Sequence, residues 1–228
     1  MDNILREKLD RSTVDILRKD VTGHDEDHSA IVYNFAIKIA VGEGWLEHIN
    51  ENTLYAIAKL HDTGYSNPEG AKDHYVSHPQ YGVEIAKKIL PEVGFPEADM
   101  PIVLEGILLH DDLKPWAIAN RKPTNVKEIL LVQDADNLEG MGARGIARIL
   151  DYCLRVGRPL YNKNLPVNKE TLLEDCEKSA IHNILLHAIT LGENLNTETA
   201  KQMARPKQGV MIDYVEQYMQ ETAEAIQT

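Results

Sequence analysis

The chain has 228 residues, 43% of them hydrophobic, and a formal net charge of −12 at pH 7. That length and hydrophobic content are ordinary for a protein with a substantial core, which argues against an intrinsically disordered chain. The acidic balance makes nucleic acid an unsuitable partner, because broad binding to phosphates relies on Lys and Arg, whereas a small anionic substrate stays compatible if a metal ion supplies positive charge.

Nothing in the sequence indicates a membrane or secreted protein. No apolar run reaches the roughly 20 residues of a membrane helix, and the first residues, MDNILREKLDRSTVDILRKD, are charged and amphipathic, unlike a signal peptide. Cys153 and Cys176 lie in helical patterns without a CxxC motif, which indicates buried reduced thiols. We therefore expect a cytoplasmic protein with no membrane partner.

Apolar residues recur at intervals of three and four along almost every ordered segment, and this period predicts an all-α fold. The predicted helices cover about residues 3–18 and 28–41, a segment from a cap at Asn52 or Thr53 to Gly64, a helix starting at Pro79, one that carries His110, the stretches VKEILLVQDADNLEG and GARGIARILDYCLRVG, about residues 171–191, and residues from about 197 onward. No repeat or composition break divides the chain, so we expect a single domain over residues 1–228.

The nine histidines are the main candidates for a functional site. A lone His on a helix is ordinarily structural or exposed. That interpretation applies to His48, His74, His182 and His187. His61 differs because it shares the end of an apolar helix with Asp62, in YAIAKLHDTGY. A buried ionised Asp must be paired, hydrogen-bonded or bound to a cation, and no Lys or Arg follows within the local turn.

Further His and Asp residues recur at the ends or inner faces of other apolar helices. They are His28 in HDEDHSA, His78 in VSHPQYGVEIAKKIL, His110 in GILLHDD, and Asp134 and Asp136 in LLVQDADNLEG. Imidazole and carboxylate ligands together suit divalent Mn, Fe, Co, Ni, Zn or Mg. The pattern therefore indicates a metal site assembled from distant parts of the chain.

The ordered series His, His-Asp, His, His, Asp resembles the HD-domain superfamily of metal-dependent phosphohydrolases. LLVQDADNLEGMGARGIARIL, then GRPLYN and LGENLNTETAKQMA, are similar to the small stand-alone bacterial HD hydrolases, several of which act on nucleoside triphosphates or related phosphoanhydrides. The resemblance covers most of the chain from about His24. It implies an HD-type helical bundle, with a metal-site core at about 24–140 and C-terminal helices at about 141–228 packed on it.

Carried over position by position, the resemblance implies a ligand set and catalytic residues. The first ion takes His28, His61, Asp62 and Asp136. Asp62, His78 and His110 hold a second ion if one binds, or His78 and His110 contact a substrate phosphate. Asp62, His78 and His110 are thus the expected catalytic residues, with one or two ions as cofactor.

Two residues beside these ligands are expected to support them. His28 begins its helix, so His24 is expected to orient a neighbouring ligand or to be structural. Periodicity does not separate Asp134 from Asp136, but the family's Ala-Asp-x-Leu element corresponds to Ala135–Leu138 and favours Asp136. Asp134 is then expected to accept a hydrogen bond from a ligating imidazole.

The remaining motifs bear on the substrate. Thr63 follows the His-Asp pair where many family members have a further acid or Lys, which leaves the substrate undefined. Asp111 and Asp112 after His110 are either an extra ligand or a solvated helix end, and the solvated helix end is the preferred interpretation. GMGARG matches the dinucleotide pattern GxGxxG, but polar QDADNLE precedes it, so we expect its glycines to permit close helix approach or a bend. Arg144, Arg148 and Arg155 share a helix face; surface ion pairing is the default, with Arg148 and Arg144 as candidate contacts to a substrate phosphate.

The expected function is therefore metal-dependent hydrolysis of a small phosphorylated substrate, a nucleotide by resemblance. Two alternatives stay open. A di-iron oxygenase on the same helical scaffold uses the same ligand types in the same order, and a non-catalytic sensor would keep the pocket to bind a nucleotide. The sequence also leaves a homo-oligomer open.

Overall fold

The computed structural model describes residues 2–18, 25–67, 77–114, 117, 120–168, 170 and 178–226. Over these residues the protein is all-helical, which confirms the predicted fold class. The helices are α1 (Asn3–Leu17), α2 (Glu26–Gly42), α3 (Glu51–Leu60), α4 (His78–Val93), α5 (Met100–Leu109), α6 (Lys127–Glu139), α7 (Gly142–Arg155), α8 (Ala180–Glu193) and α9 (Glu198–Ile226). Within those ranges, none of the helices is both long and apolar enough to cross a membrane.

Short polar side chains set where the first helices begin. Asp2 and Asp25 accept backbone N–H hydrogen bonds at the starts of α1 and α2. The predicted cap of α3 was wrong by two residues: Asn50 is the cap, and its side chain accepts from the N–H groups of Asn52 and Thr53. An Asn two residues earlier can satisfy the same exposed N–H groups, so the sequence pattern alone did not separate these positions.

Four helices form the centre of the molecule. α2 packs against α3 and α6, and α3 also contacts α5 and α6. Ala36, Ile57, Leu60 and Val132 on these helices are fully buried. Burying a large apolar side chain contributes about 1.5–3 kcal/mol, so this interior is rigid enough to hold polar groups in place. α8 and α9 pack against each other and against α7, and α9 also contacts α2 and α6.

The turn after α3 lies directly against the start of α4. A Cβ added to Gly64 would lie only 1.8 Å from the carbonyl oxygen of His78. Gly64 is part of the 3-10 turn Thr63–Ser66, which immediately follows His61 and Asp62. The missing side chain therefore lets the His-Asp pair lie beside His78, although the two are well separated in sequence.

The glycines of GMGARG have the structural role that the sequence predicted. The residues before them form helix α6, not a strand. Gly142 has φ of 75°, and a Cβ on Gly145 would lie 2.1 Å from the Gly140 oxygen. These glycines turn the chain sharply from α6 into α7. Farther along α7, Cys153 is a buried free thiol, as predicted; Cys176 lies outside the described residues.

We predict that Gly64→Ala lowers the free energy of unfolding by at least about 1–3 kcal/mol, the usual cost of overpacking, because the new methyl group would overlap the His78 carbonyl. Chemical denaturation measures this change. Gly209→Ala is the matched control, because its Cβ would meet nothing within 4 Å in the middle of α9. Equal stability of the two variants would contradict the close approach.

Candidate metal centre

Side chains from three separate helical regions meet in the first of two buried groups. His28, His61 and Asp136 each offer a ligand atom, and these atoms lie within 4.8 Å of one another. His28 Nε2 lies 3.1 Å from His61 Nε2 and 3.5 Å from Asp136 Oδ1. The structure thus brings together residues from α2, from the end of α3 and from α6.

Asp62 lies between this group and a second one. Its Oδ2 is 3.1 Å from His28 Nε2 and 3.2 Å from His61 Nε2. Its Oδ1 is 3.2 Å from His110 Nε2 and 3.5 Å from His78 Nε2. One carboxylate therefore presents one oxygen to each group, which is the arrangement of a bridging ligand.

The second group consists of Asp62, His78 and His110. The Nε2 atoms of His78 and His110 lie 3.0 Å apart, and both rings are buried. The ring of Tyr65 stacks on that of His78, with centroids 4.1 Å apart. This stacking fixes the plane of His78, whose buried Nδ1 has no hydrogen-bond partner among the described residues.

Backbone carbonyls set the orientation of two imidazoles. His61 Nδ1 lies 2.9 Å from the oxygen of Ala58, and His110 Nδ1 lies 2.6 Å from the oxygen of Ile107. A carbonyl oxygen only accepts, so each Nδ1 carries the proton and donates it. In the neutral form of each ring, Nε2 then has the lone pair and directs it toward the centre, as a metal ligand requires.

A buried carboxylate that the sequence analysis missed does the same for His28. Glu139 Oε2 is 3.1 Å from His28 Nδ1, and Glu139 also accepts from Arg144 and Arg148. Arg148 Nη1 lies 2.9 Å from His28 Nδ1 as well. An ionised carboxylate only accepts, so His28 Nδ1 and Arg148 both donate to Glu139. The sequence signal was its position three residues after Asp136, on the same face of α6.

The carboxylates of the centre favour positive charge. Burial and Arg148 lower the pKa of His28, but Asp62 and Glu139 outweigh them and raise it to about 9. Burial likewise lowers the pKa of His110, whereas Asp111 and Asp62 raise it to about 9. Burial raises the pKa of Glu139, but His28 and Arg148 hold it well below its usual range. Protons or a cation therefore have to balance these buried carboxylates.

Lys114 is a buried cation that the sequence analysis did not place in the site. Its Nζ lies 2.8 Å from Asp136 Oδ2, so Asp136 pairs with Lys114 through one oxygen and faces His28 with the other. Burial lowers the pKa of Lys114, but Asp136 and Asp111 raise it above its usual value. Burial raises the pKa of Asp136, and Lys114 and the nearby imidazoles hold it well below its usual range.

Asp111 corrects the interpretation of the two acids after His110. The residue is only 8% exposed, with Oδ2 3.6 Å from His78 Nε2 and Oδ1 3.7 Å from His110 Nε2. Asp112 does lie near the surface, where it accepts from the N–H of Lys122. Adjacent residues on the short 3-10 turn His110–Leu113 point in different directions, and the sequence gave no period by which to separate them.

Asp134 has a different role from the expected one. Its carboxylate accepts from the N–H groups of Asn196 and Thr197 and from the Thr197 hydroxyl, and no described imidazole contacts it. The Thr197 hydroxyl in turn accepts from the N–H of Ala200, so Thr197 caps α9 and Asp134 anchors that cap. Two residues apart on α6, Asp134 and Asp136 point to opposite sides of the helix.

The other sequence candidates lie at various distances from the centre. Arg148 and Arg144, with side chains 23% and 48% exposed, both pair with Glu139, whereas Arg155 pairs with Asp151 at the surface. His24 and His74 lie outside the described residues. Burial and the nearby positive charges of Lys114 and Arg148 lower the pKa of His187 to about 4. His187 is therefore neutral at physiological pH. His182 is buried on Ser179, and His48 is exposed.

We predict that Asp134→Ala lowers the free energy of unfolding by about 1–3 kcal/mol, because it leaves the buried donors of Asn196 and Thr197 without their acceptor. Chemical denaturation of the metal-free protein measures the change. Asp151→Ala, at an exposed pair, is the control and should stay within about 0.5 kcal/mol of the parent. A shift no larger than this control would contradict the anchoring role.

We predict that Glu139→Gln weakens Mn²⁺ affinity by about 10–100-fold, because the neutral amide is a weaker acceptor for His28 Nδ1 and makes the imidazole a poorer ligand. Calorimetric titration of the chelator-treated chain gives the dissociation constant. Glu92→Gln, on the exposed face of α4, should bind Mn²⁺ like the parent. Unchanged affinity in both variants would mean that Glu139 does not orient His28.

Several solved structures share the fold of this chain. In a crystal structure from Lactobacillus plantarum, a protein of 26% sequence identity matches with a TM-score of 0.75, over 98% of this chain and 99% of that one. An HD-superfamily hydrolase from Bacillus thuringiensis matches at 26% identity and a TM-score of 0.66, over 96% of both chains. Bacillus subtilis YpgQ, crystallised with ADP, matches at 22% identity and a TM-score of 0.65, over 96% of both chains.

Sequence comparison points the same way. The uncharacterised protein YpgQ of Bacillus subtilis is 31% identical over 86 residues, which is 38% of this chain and 36% of that protein. The matched stretch thus spans about a third of this relative. The sequence model of the HD domain matches residues 26–141, just over half of the chain and the segment that contains both ligand groups. The chain belongs to the HD-domain family.

Proposed function

We propose that this protein is a metal-dependent phosphohydrolase that cleaves a phosphoanhydride or phosphoester bond of a nucleotide. The observation that carries the proposal is the position of Asp62, whose two oxygens face two buried groups of imidazoles. Hydrolase relatives support the reaction class, since the B. thuringiensis neighbour is described as an HD-superfamily hydrolase.

The residues of the centre fit a divalent ion. Their ligand atoms converge, the Nδ1 contacts of two rings turn Nε2 toward the centre, and burial of so many carboxylates favours positive charge. His28, His61, Asp62 and Asp136 would hold one ion, and Asp62, His78 and His110 a second. Such an ion lowers the pKa of a bound water and neutralises negative charge that develops on phosphorus.

The chain's own residues prepare the site for that chemistry. Glu139 orients His28, and Lys114 holds Asp136 so that its other oxygen faces the centre. If a single ion binds, His78 and His110 are left to contact a substrate phosphate or to protonate the leaving group. His78 lies at the start of α4, where backbone N–H groups favour an anion.

Cationic side chains beside the centre support an anionic substrate. Lys114 and Arg148 come from different elements, and the positive charge of both acts on His187 of α8. Arg148 donates to Glu139 with one nitrogen, and its other N–H groups are candidates to bind a phosphate oxygen, with the more exposed Arg144 beside it. The ADP complex of YpgQ, which shares the fold, supports a nucleotide as the substrate class.

We predict that the purified chain releases phosphate or pyrophosphate from a nucleoside mono- or triphosphate when Mn²⁺, Co²⁺ or another divalent ion is supplied. A metal-by-substrate screen with phosphate and pyrophosphate detection identifies the active pair. Asp62→Ala should lower the rate by more than about 100-fold, beyond the usual effect of a residue that only supports a ligand, and it should weaken metal uptake. Asp151→Ala, at the surface, should retain parental activity.

Three outcomes would overturn the proposal. Full activity of Asp62→Ala would remove Asp62 from the reaction. Substrate-dependent oxygen uptake with a mixed-valence iron signal, in place of phosphate release, would show a di-iron oxygenase. Tight nucleotide binding without turnover under any of the metals would show a sensor.

A further inference from the structure

We infer that Asp111 is an additional ligand of the second ion, which would then bind Asp62, His78, His110 and Asp111. The inference rests on the metal centre of the proposed function. It adds a residue that neither the family pattern of His and Asp residues nor the two three-residue groups described above contains.

The first support is that Asp111 lies buried with an unsatisfied oxygen. The residue is 8% exposed, and its Oδ2 has no hydrogen-bond partner in the part of the chain that the structure describes. Lys114, the nearest cation along the chain, directs its Nζ to Asp136 Oδ2 at 2.8 Å. A buried carboxylate oxygen without a donor is costly, so a cation bound directly beside this atom would stabilise it.

The second support is the distance between the ligand atoms. Around the second group the separations are 3.0 Å between the two Nε2 atoms and 3.2 and 3.5 Å from these atoms to Asp62 Oδ1. The oxygens of Asp111 lie 3.6 and 3.7 Å from the same two nitrogens. Ligand bonds of about 2.1 Å place neighbouring ligand atoms about 3.0–3.4 Å apart, so the Asp111 oxygens lie within a few tenths of an ångström of that spacing.

The third support is that Asp111 faces the same Nε2 atoms of His78 and His110 that face Asp62 Oδ1. The Nδ1 of His110 donates to Ile107, so in the neutral ring, which is the form that binds a metal, Nε2 has a lone pair and no proton for Asp111 to accept. An imidazole lone pair beside a carboxylate oxygen is repulsive unless a cation lies between them. The same argument explains why Asp111 turns inward while Asp112 remains near the surface on the same short turn.

A fourth protein ligand has a chemical consequence. Two carboxylates and two imidazoles form a harder ligand set than one carboxylate with two imidazoles, and carboxylate oxygens suit Mn²⁺ or Mg²⁺ better than softer ions. The added negative charge should also make occupancy of the second position less dependent on a bound substrate phosphate. Asp111 would therefore determine whether this chain works with one ion or two.

The test compares Asp111→Asn with Asp112→Asn in the full chain, after removal of metal with a chelator. Mn²⁺ is titrated by calorimetry, and electron paramagnetic resonance reports coupling between paired ions. The parent and Asp112→Asn should each bind two Mn²⁺ with a coupled signal. Asp111→Asn should bind its first Mn²⁺ normally, bind the second at least about tenfold more weakly, and lose the coupling.

Two results would overturn the inference: parental binding of both ions by Asp111→Asn, or a parent chain that binds a single ion. Hydrolysis with a single ion would leave the proposed function standing, whereas failure to bind any divalent ion would remove both. If Asp111→Asn does not fold, the parent protein is crystallised with Mn²⁺, and the anomalous signal of the metal locates each bound ion. An ion bonded to Asp111 at about 2.2 Å supports the inference, and an ion held only by Asp62, His78 and His110 overturns it.

Discussion

The positions of the helices around the candidate metal centre depend on one constraint: the negative charge of the buried Asp62 carboxylate must have partners inside the molecule. An isolated buried charge is prohibitively expensive, and here each oxygen of Asp62 faces two imidazole nitrogens, from α2 and the end of α3 on one side and from α4 and the end of α5 on the other. The helices must therefore end, or turn inward, at the same point. The close approach of Gly64 to the backbone of His78 and the turn of the chain after α6 both serve that convergence.

The buried charges around Asp62 pair with one another and at the same time orient the candidate ligands. Asp136 uses one oxygen for Lys114 and directs the other to His28. Glu139 accepts from Arg148 and Arg144 and still orients His28. Asp111 is the member of the set for which the described residues provide no hydrogen-bond donor to Oδ2. A centre built in this way favours positive charge and keeps the ligand atoms in place before an ion arrives.

The fold class and the family could be predicted from the sequence, because the helical period and the order of the His and Asp residues can be seen without knowing how the helices pack. It could not place Glu139, Lys114 or Asp111. Each is a charged side chain within four residues of a candidate ligand, and charged side chains are exposed by default, so only tertiary packing shows that these three turn inward. For Asp134 the prediction was wrong in the opposite sense. Its position two residues before Asp136 suggested that both side chains serve the metal site, but residues two apart on a helix point to opposite sides.

On α6, Asp136 faces the candidate metal centre and Asp134 anchors the start of α9. This pair of contacts indicates how much of the chain an intact centre needs. The family match ends at residue 141, but Asp134 draws its donors from Asn196 and Thr197, far beyond that limit. Removal of the C-terminal helices would leave the buried carboxylate of Asp134 without its donors, and Asp134 lies only two residues from Asp136. It would also expose the surfaces of α2 and α6 that α9 contacts. We therefore expect the segment that carries the family signature to need the C-terminal helices, which hold Asp134 and pack on the helices that carry His28 and Asp136.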